Sequence, residues 1–94
     1  MSNAAKKLSK QVLRSSGRTA ANNLAEQLFM KQVKSNPLSG AKHLKNIIMN
    51  DSRWLASKGW IKMEQTKILK NGSKVVIHFV YNTITRKTAD FKFK

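Results

Sequence analysis

His78 stands between Ile77 and Phe79 in the run KVVIHFVYN, and His43 stands in AKHLKN; the chain has no other imidazole. In an extended run, alternation turns His78 to the same side as Val76 and Val80. Two roles fit that position. One is a half-buried core histidine satisfied by a hydrogen bond. The other is an imidazole at the edge of a basic cleft, with Asp90 and Lys92 of the closing ADFKFK on the neighbouring strand. A carboxylate and a lysine beside an imidazole orient it and tune its pKa. His43, read as lying near the start of a helix, is either an exposed helix residue or a contact to phosphate or base, where backbone N–H groups favour anions.

Several catalytic templates are missing. There is no Gly-rich phosphate loop, no paired-carboxylate site and no Cys or His cluster at metal-ligand spacing. The four acids, Glu26, Asp51, Glu64 and Asp90, are spread along the chain. They suit neither a two-metal nuclease centre nor a multi-carboxylate hydrolase. What remains is imidazole, ammonium, guanidinium and hydroxyl. That set suits metal-independent RNA cleavage, in which the ribose 2′-hydroxyl is the nucleophile. A base takes the 2′ proton, an acid protonates the departing 5′ oxygen, and cations steady the charged phosphorane. No metal or cofactor is expected.

Other groups can assist. Arg53 beside Trp54, and Lys62 beside Trp60, pair a cation with an aromatic ring. The tryptophans are either wedges between helix and sheet or stacking surfaces for an unpaired base. Arg53 and Lys62 either bind phosphate or form a solvated face. Thr85, with Thr83 and Thr88, belongs to a turn, where one hydroxyl can donate to a phosphate oxygen.

The elements that must position these groups are read as α first, then β. Residues 4–14 form a weak basic helix, broken by SSG at 15–17. Residues 18–34 form a stronger one, with Ala20, Leu24, Leu28 and Val33 as an apolar stripe and Ala21, Ala25 and Phe29 alongside. Pro37 ends it. Ser39 caps a third helix over about residues 40–50, with Leu44, Ile47 and Ile48 as its apolar face. DSRWLASKGW is a short helical turn or loop that stops at Gly59. Residues 60–69 and 74–82 are strands joined at Asn71-Gly72, a strong hairpin signal. Residues 89–94 are a third strand, with Phe91 and Phe93 on one face and Asp90, Lys92 and Lys94 on the other. The expected architecture is a single α+β domain over 1–94. Helices in 1–38 pack on an antiparallel meander, and 39–94, a helix plus three strands, carries the site.

Charge points to the partner. Nineteen lysines and arginines against four acids give a net charge of +15 in 94 residues. A field that one-sided attracts polyanions, nucleic acid first, with acidic proteins and anionic membrane surfaces as weaker candidates. No apolar run approaches the ~20 residues of a membrane span. The first eleven residues, polar and basic, do not read as a secretory signal. Without cysteine the chain has no disulfides and says nothing of redox compartment. Residues 1–4 carry no structural weight in this reading, which leaves room for a piece of a longer protein.

The segments KHLKNIIMNDSRW, GWIKM and IHFVYNTITRKTADFKFK resemble the C-terminal toxin domain of bacterial contact-dependent growth inhibition and related polymorphic toxins. The resemblance covers about residues 40–94. Two positions depart from the pattern: Arg86 stands where glycine is expected, and Ala89 where an aspartate precedes Asp90. The resemblance implies a module at the C-terminus of a large exported or cell-surface protein, acting in the target-cell cytoplasm and neutralised by a cognate immunity protein. It implies a metal-independent ribonuclease with tRNA as substrate. Elongation factor Tu is a partner of some members. The fold it implies is that of the barnase, EndoU, colicin and RelE group. On this basis His78 is the expected general acid or base, with His43 as the second candidate. Asp90 orients or tunes an imidazole. Arg53, Lys62 and Lys92 bind phosphate and stabilise the transition state, with Thr85 assisting. Two alternatives come from other classes: a metal-dependent DNase toxin, and a non-catalytic basic module that binds nucleic acid.

Overall fold

A computed structural model describes residues 17–94 of the chain. The helix expected over residues 4–14 lies outside the described residues.

The hairpin at residues 69–73 sets the sheet. The Leu69 N–H donates to the Ser73 carbonyl at 2.8 Å and the Gly72 N–H to the Leu69 carbonyl at 2.9 Å. Asn71 Oδ1 accepts from the Ser73 N–H at 2.9 Å and from its hydroxyl at 2.7 Å. Gly72 has φ +86°, a left-handed geometry that glycine adopts without a Cβ clash. Residues 70–72 thus form a three-residue loop that ends on a left-handed residue, a common hairpin connection. It joins β2 (Trp60–Ile68) to β3 (Lys74–Asn82) in antiparallel register from Ile68↔Lys74 to Trp60↔Asn82.

Two further strands complete a four-stranded antiparallel meander in the order β1-β2-β3-β4. β1 (Lys42–His43) pairs with Glu64 and Met63 of β2. β4 (Thr88–Phe93) pairs with β3. A bulge interrupts that last ladder. Tyr81↔Thr88 and Val80↔Ala89 precede it, and His78↔Lys92 and Ile77↔Phe93 follow, so β4 carries one extra residue. Asp90, at φ +59°, occupies the bulge. Arg18 extends the far edge through an isolated bridge to Phe93, with N–O distances of 2.8 and 3.2 Å. Its guanidinium lies 4.6 Å from the centre of the Phe93 ring.

The described helix, α1 (Leu24–Ser35), starts later than the sequence pattern predicts. Asn23 is extended and its side chain accepts from the Glu26 N–H at 2.9 Å, an N-cap that fixes the start. α1 buries Phe29, Met30 and Val33 against Met63, Val75, Ile77, Phe79 and Phe93. The predicted stripe is therefore rotated: Leu24 and Leu28 are 66% and 57% exposed. Glu26 lies on the inward face. Arg18 makes this tolerable, because its guanidinium donates to both carboxylate oxygens at 2.8 Å, and the Asn22 N–H adds a third bond at 2.8 Å. These donors hold the Glu26 carboxyl below its usual pKa.

The third helix expected over 40–50 is not formed. β1 occupies residues 42–43, and the chain beyond it has no regular structure until a 3-10 turn at Ala56–Lys58. The expected apolar face explains why: Ile47 and Ile48 are 44% and 79% exposed, so no packing rewards a helix there. The 3-10 turn ends, as expected, on Gly59 at φ +98°. The architecture is α+β with an antiparallel meander, as expected, but with a fourth strand in place of the third helix.

Candidate active site

The face of the sheet turned away from α1 carries the polar groups. Residues paired across antiparallel strands share a face. One row therefore runs across all four strands: Lys42 on β1, Glu64 on β2, His78 on β3 and Lys92 on β4. The next row holds Lys62, Val80 and Ala89, and the one after it Trp60 and Asn82. Both connections on either side of β3 are needed to build the first row. The three-residue loop after β2 sets Glu64, and not Gln65, opposite His78. The bulge at Asp90 shifts β4 by one residue, which sets Lys92, and not Phe91, on the other side. Phe91 is thereby sent to the α1 side, where it stacks on Phe79 with centroids 5.0 Å apart.

Glu64 Oε2 lies 2.9 Å from His78 Nε2. A carboxylate only accepts, so Nε2 carries the proton and a neutral His78 keeps its lone pair on Nδ1. Burial, the largest effect, pushes the His78 pKa below its ordinary value. The Glu64 hydrogen bond and charge oppose that shift, while Lys62 and Lys94 reinforce it. Glu64 is 25% and His78 15% exposed at the side chain, so the pair is sheltered yet open to solvent. Half-burial also lowers the pKa of the Lys62 ammonium, against the pull of Asp90. Lys92 Nζ lies 3.2 Å from Asp90 Oδ1.

The expected site residues separate into two groups. His78, Lys92, Asp90 and Lys62 are gathered on one face. Asp90, however, pairs with Lys92, and the carboxylate that holds the imidazole is Glu64. His43 is not part of the cluster. It pairs with Met63, whose side chain joins the core under α1, so His43 belongs to the opposite face from His78. A helix over 40–50 would not have imposed that separation; a two-residue strand does, because adjacent residues alternate.

Thr85 is also set apart. It lies in the turn after Asn82, at least four residues along from His78, a separation of about 13 Å along a strand. Its N–H donates to Asn82 Oδ1 at 2.9 Å, and its hydroxyl oxygen accepts from the Lys87 N–H at 3.4 Å. Trp60 shares the polar face but sits at the same far end, edge-on to Trp54 with centroids 4.9 Å apart. Arg53 is engaged by Asp51 through Nε–Oδ1 at 3.1 Å and Nη2–Oδ2 at 2.8 Å. That contact pushes the Asp51 carboxyl down to about 2. The Asp51–Arg53 pair lies close enough to β4 for Lys92 and Asp90 to act on it.

Sequence reasoning missed two residues. Glu64 was legible only through the hairpin register. Asn82, buried at 4% exposure, holds the β3–β4 turn. Its Oδ1 accepts from the Ile84 and Thr85 N–H groups, both at 2.9 Å, and its Nδ2 donates to the Lys58 carbonyl at 3.0 Å. Its signal was the asparagine that closes a strand before a turn.

Among the described residues, no group of three or more His, Asp or Glu side chains is arranged to hold a metal ion. No helix among them is long and apolar enough to cross a membrane. No protein-family model, curated protein or solved structure matches the chain.

Proposed function

We propose that the chain is a ribonuclease that cleaves RNA by metal-independent transesterification, with His78 as its general base. The observation that carries this reading is the Glu64–His78 contact at 2.9 Å, which leaves Nδ1 as the free basic nitrogen, beside a lysine on the neighbouring strand. His78 Nδ1 takes the proton of the ribose 2′-hydroxyl. The 2′ oxygen bonds to phosphorus, the P–O5′ bond breaks, and the products are a 2′,3′-cyclic phosphate and a 5′-hydroxyl. Glu64 stabilises the imidazolium formed on the way. Lys92 and Lys62 face the negative charge of the phosphorane. Lys62, whose pKa burial lowers, is a stronger acid than an ordinary lysine and supplies the proton to the departing 5′ oxygen.

The narrower reading rests on the resemblance of residues 40–94 to polymorphic-toxin domains. It holds tRNA as the substrate, a cognate immunity protein as the inhibitor, and elongation factor Tu as a host partner. It also holds export as part of a larger protein and action in the target-cell cytoplasm. The finer fold assignment, to the barnase, EndoU, colicin and RelE group, belongs to the same proposal. A helix followed by an antiparallel meander is compatible with it.

The test is incubation of the purified protein with total bacterial tRNA in EDTA, with and without elongation factor Tu and GTP, beside folded His78→Ala. Discrete fragments from the parent and none from the variant are expected. Intact tRNA in every lane would overturn the ribonuclease reading in favour of a non-catalytic binding module. Cutting of DNA that stops in EDTA would favour a metal-dependent DNase.

A further inference from the structure

The cationic surface does not end at Lys92 and Lys62. At the opposite edge of the sheet, residues 42–47 line an open groove of about 670 Å³. Its lining residues, Lys42, His43, Leu44, Lys45, Asn46 and Ile47, include three basic side chains and no acid. The groove is tied to the catalytic row in two ways. Lys42 is the β1 member of that row, paired with Glu64. The Leu44 N–H donates to the Lys62 carbonyl at 2.9 Å, which holds the start of the groove against β2.

From these relations we infer that the groove along residues 42–47 is a second phosphate subsite, which holds the RNA backbone next to the phosphate being cleaved. The inference rests on the ribonuclease reading for the identity of the first site. Lys92 and Lys42 are separated by the three strand spacings of the row, about 14 Å. That exceeds one step between neighbouring phosphates, so the two lysines serve different phosphates of one strand. Between them lies Glu64, whose charge repels phosphate. The row therefore offers two separate cationic positions and not a continuous track. A strand crossing it sets one phosphate over His78, Lys92 and Lys62, and a more distant one on Lys42 and Lys45. His43 lies in this groove. It pairs with Met63 and so belongs to the other face of β1 from Lys42, which leaves Lys42 and Lys45 as the groove's phosphate-binding groups and proton transfer with His78.

The consequence is a preference for length. A dinucleotide fills only the first site, whereas a longer strand also fills the second. Each phosphate neutralised on a single strand contributes about 0.7 to the slope of log affinity against log salt. The experiment uses 2′-O-methyl RNA, which lacks the 2′ nucleophile and is not cleaved, so its outcome does not depend on whether the protein is a nuclease. Binding of a dinucleotide and of an octanucleotide is measured against salt for the parent, for Lys42→Ala/Lys45→Ala and for Lys67→Ala/Lys70→Ala. The last pair removes the same charge from the exposed hairpin side. The groove variant is expected to bind the octanucleotide about tenfold more weakly, with a salt slope smaller by about 1.4 and dinucleotide binding unchanged. The hairpin variant is expected to change neither slope. Equal losses for the two ligands, equal losses for the two variants, or no loss at all would each overturn the subsite. Failure of the parent to cut tRNA would instead sink the ribonuclease reading and leave this test intact.

Discussion

The two faces of β3 are built from alternate residues of one strand and do opposite work. Val75, Ile77 and Phe79 face α1 and are at most 6% exposed. They gain by leaving water, as apolar groups do. His78, in the middle of the same run, faces a carboxylate on β2 and an ammonium on β4. Its face also keeps Lys62 half out of water, at a cost visible in the lowered pKa. Ion pairs of this kind seldom stabilise a fold more than apolar side chains of similar volume would. Valine and threonine could fill the same strand positions. Stability therefore accounts for the first face and for Val80, which is fully buried on the second, but leaves the Glu64–His78–Lys92 row unexplained, which is why that row is read as the site.

The largest expected effect separates a substitution on one face of β3 from a substitution on the other. Phe79 is fully buried and stacked on Phe91. Phe79→Ala is expected to cost about 3–5 kcal/mol, a large part of the ~5–15 kcal/mol that holds a small domain. Urea denaturation should show a markedly lower midpoint. His78→Ala, one residue away, should lower cleavage by about 10²–10⁴-fold while moving the urea midpoint far less. A His78 variant that unfolds like the Phe79 variant would make His78 a core residue and remove the base.

How much of this was legible follows from the same two faces. The period-2 pattern of KVVIHFVYN identified β3 and set His78 beside Val76 and Val80. The alternation of ADFKFK separated Phe91 and Phe93 from Lys92. Alternation alone could not reveal His78's partners, because partners depend on register, and register depends on single residues in the connections. A two-residue turn at Asn71-Gly72 would have opposed His78 to Gln65. The three-residue loop opposes it to Glu64. Without the bulge at Asp90, the partner on the other side would have been Phe91. The bulge makes it Lys92. The failed third helix has a different cause. Leu44, Ile47 and Ile48 do have helical spacing, but spacing cannot show that no partner surface exists for them, and without one the Lys42–His43 backbone bonds to β2 instead. The rotated stripe on α1 is similar: Leu24/Leu28 and Phe29/Val33 both satisfy the helical period, and only packing chooses between them.

The polar face can be sharpened by moving the His78 pKa in both directions. In the parent, cleavage should rise with pH through a value below about 6.5, the ordinary histidine value, because the base must be neutral and burial favours that form. Glu64→Gln removes a charge that raises the pKa. The acidic limb of the pH profile of kcat/KM should move lower still, while kcat falls at least about tenfold as the imidazolium loses its counter-charge. Lys62→Met removes a charge that lowers it, so the limb should move up. Limbs that move together, or not at all, would mean that the titrating group is not His78. Stability carries the same sign in the parent. The unfolded chain takes up the proton first as pH falls past about 6.5, so the folded state loses stability from there down through its lower folded value. Urea midpoints measured across that range report it independently of cleavage.

The smallest expected effect lies in the turn that delivers β4 to His78. Arg86 has φ +66°, a left-handed conformation in which a Cβ crowds the backbone. This is the position where the resemblance leads one to expect glycine. The turn forces the geometry: the Arg86 N–H donates to the Asn82 carbonyl at 2.7 Å, and the Asn82 N–H to the Lys87 carbonyl at 2.8 Å. Between those bonds the chain must reverse. Arg86→Gly relieves the crowding but adds freedom to the unfolded chain, and the two effects partly cancel. A net gain of up to about 1 kcal/mol is expected, read as a raised urea midpoint. Cleavage should be unchanged, because the turn lies beyond Asn82 while Lys92 is set by the bulge. A loss of stability would show that the guanidinium contributes more to the turn than its backbone strain costs. A loss of cleavage at unchanged stability would extend the site from the central row to the turn, bringing Thr85 back into it.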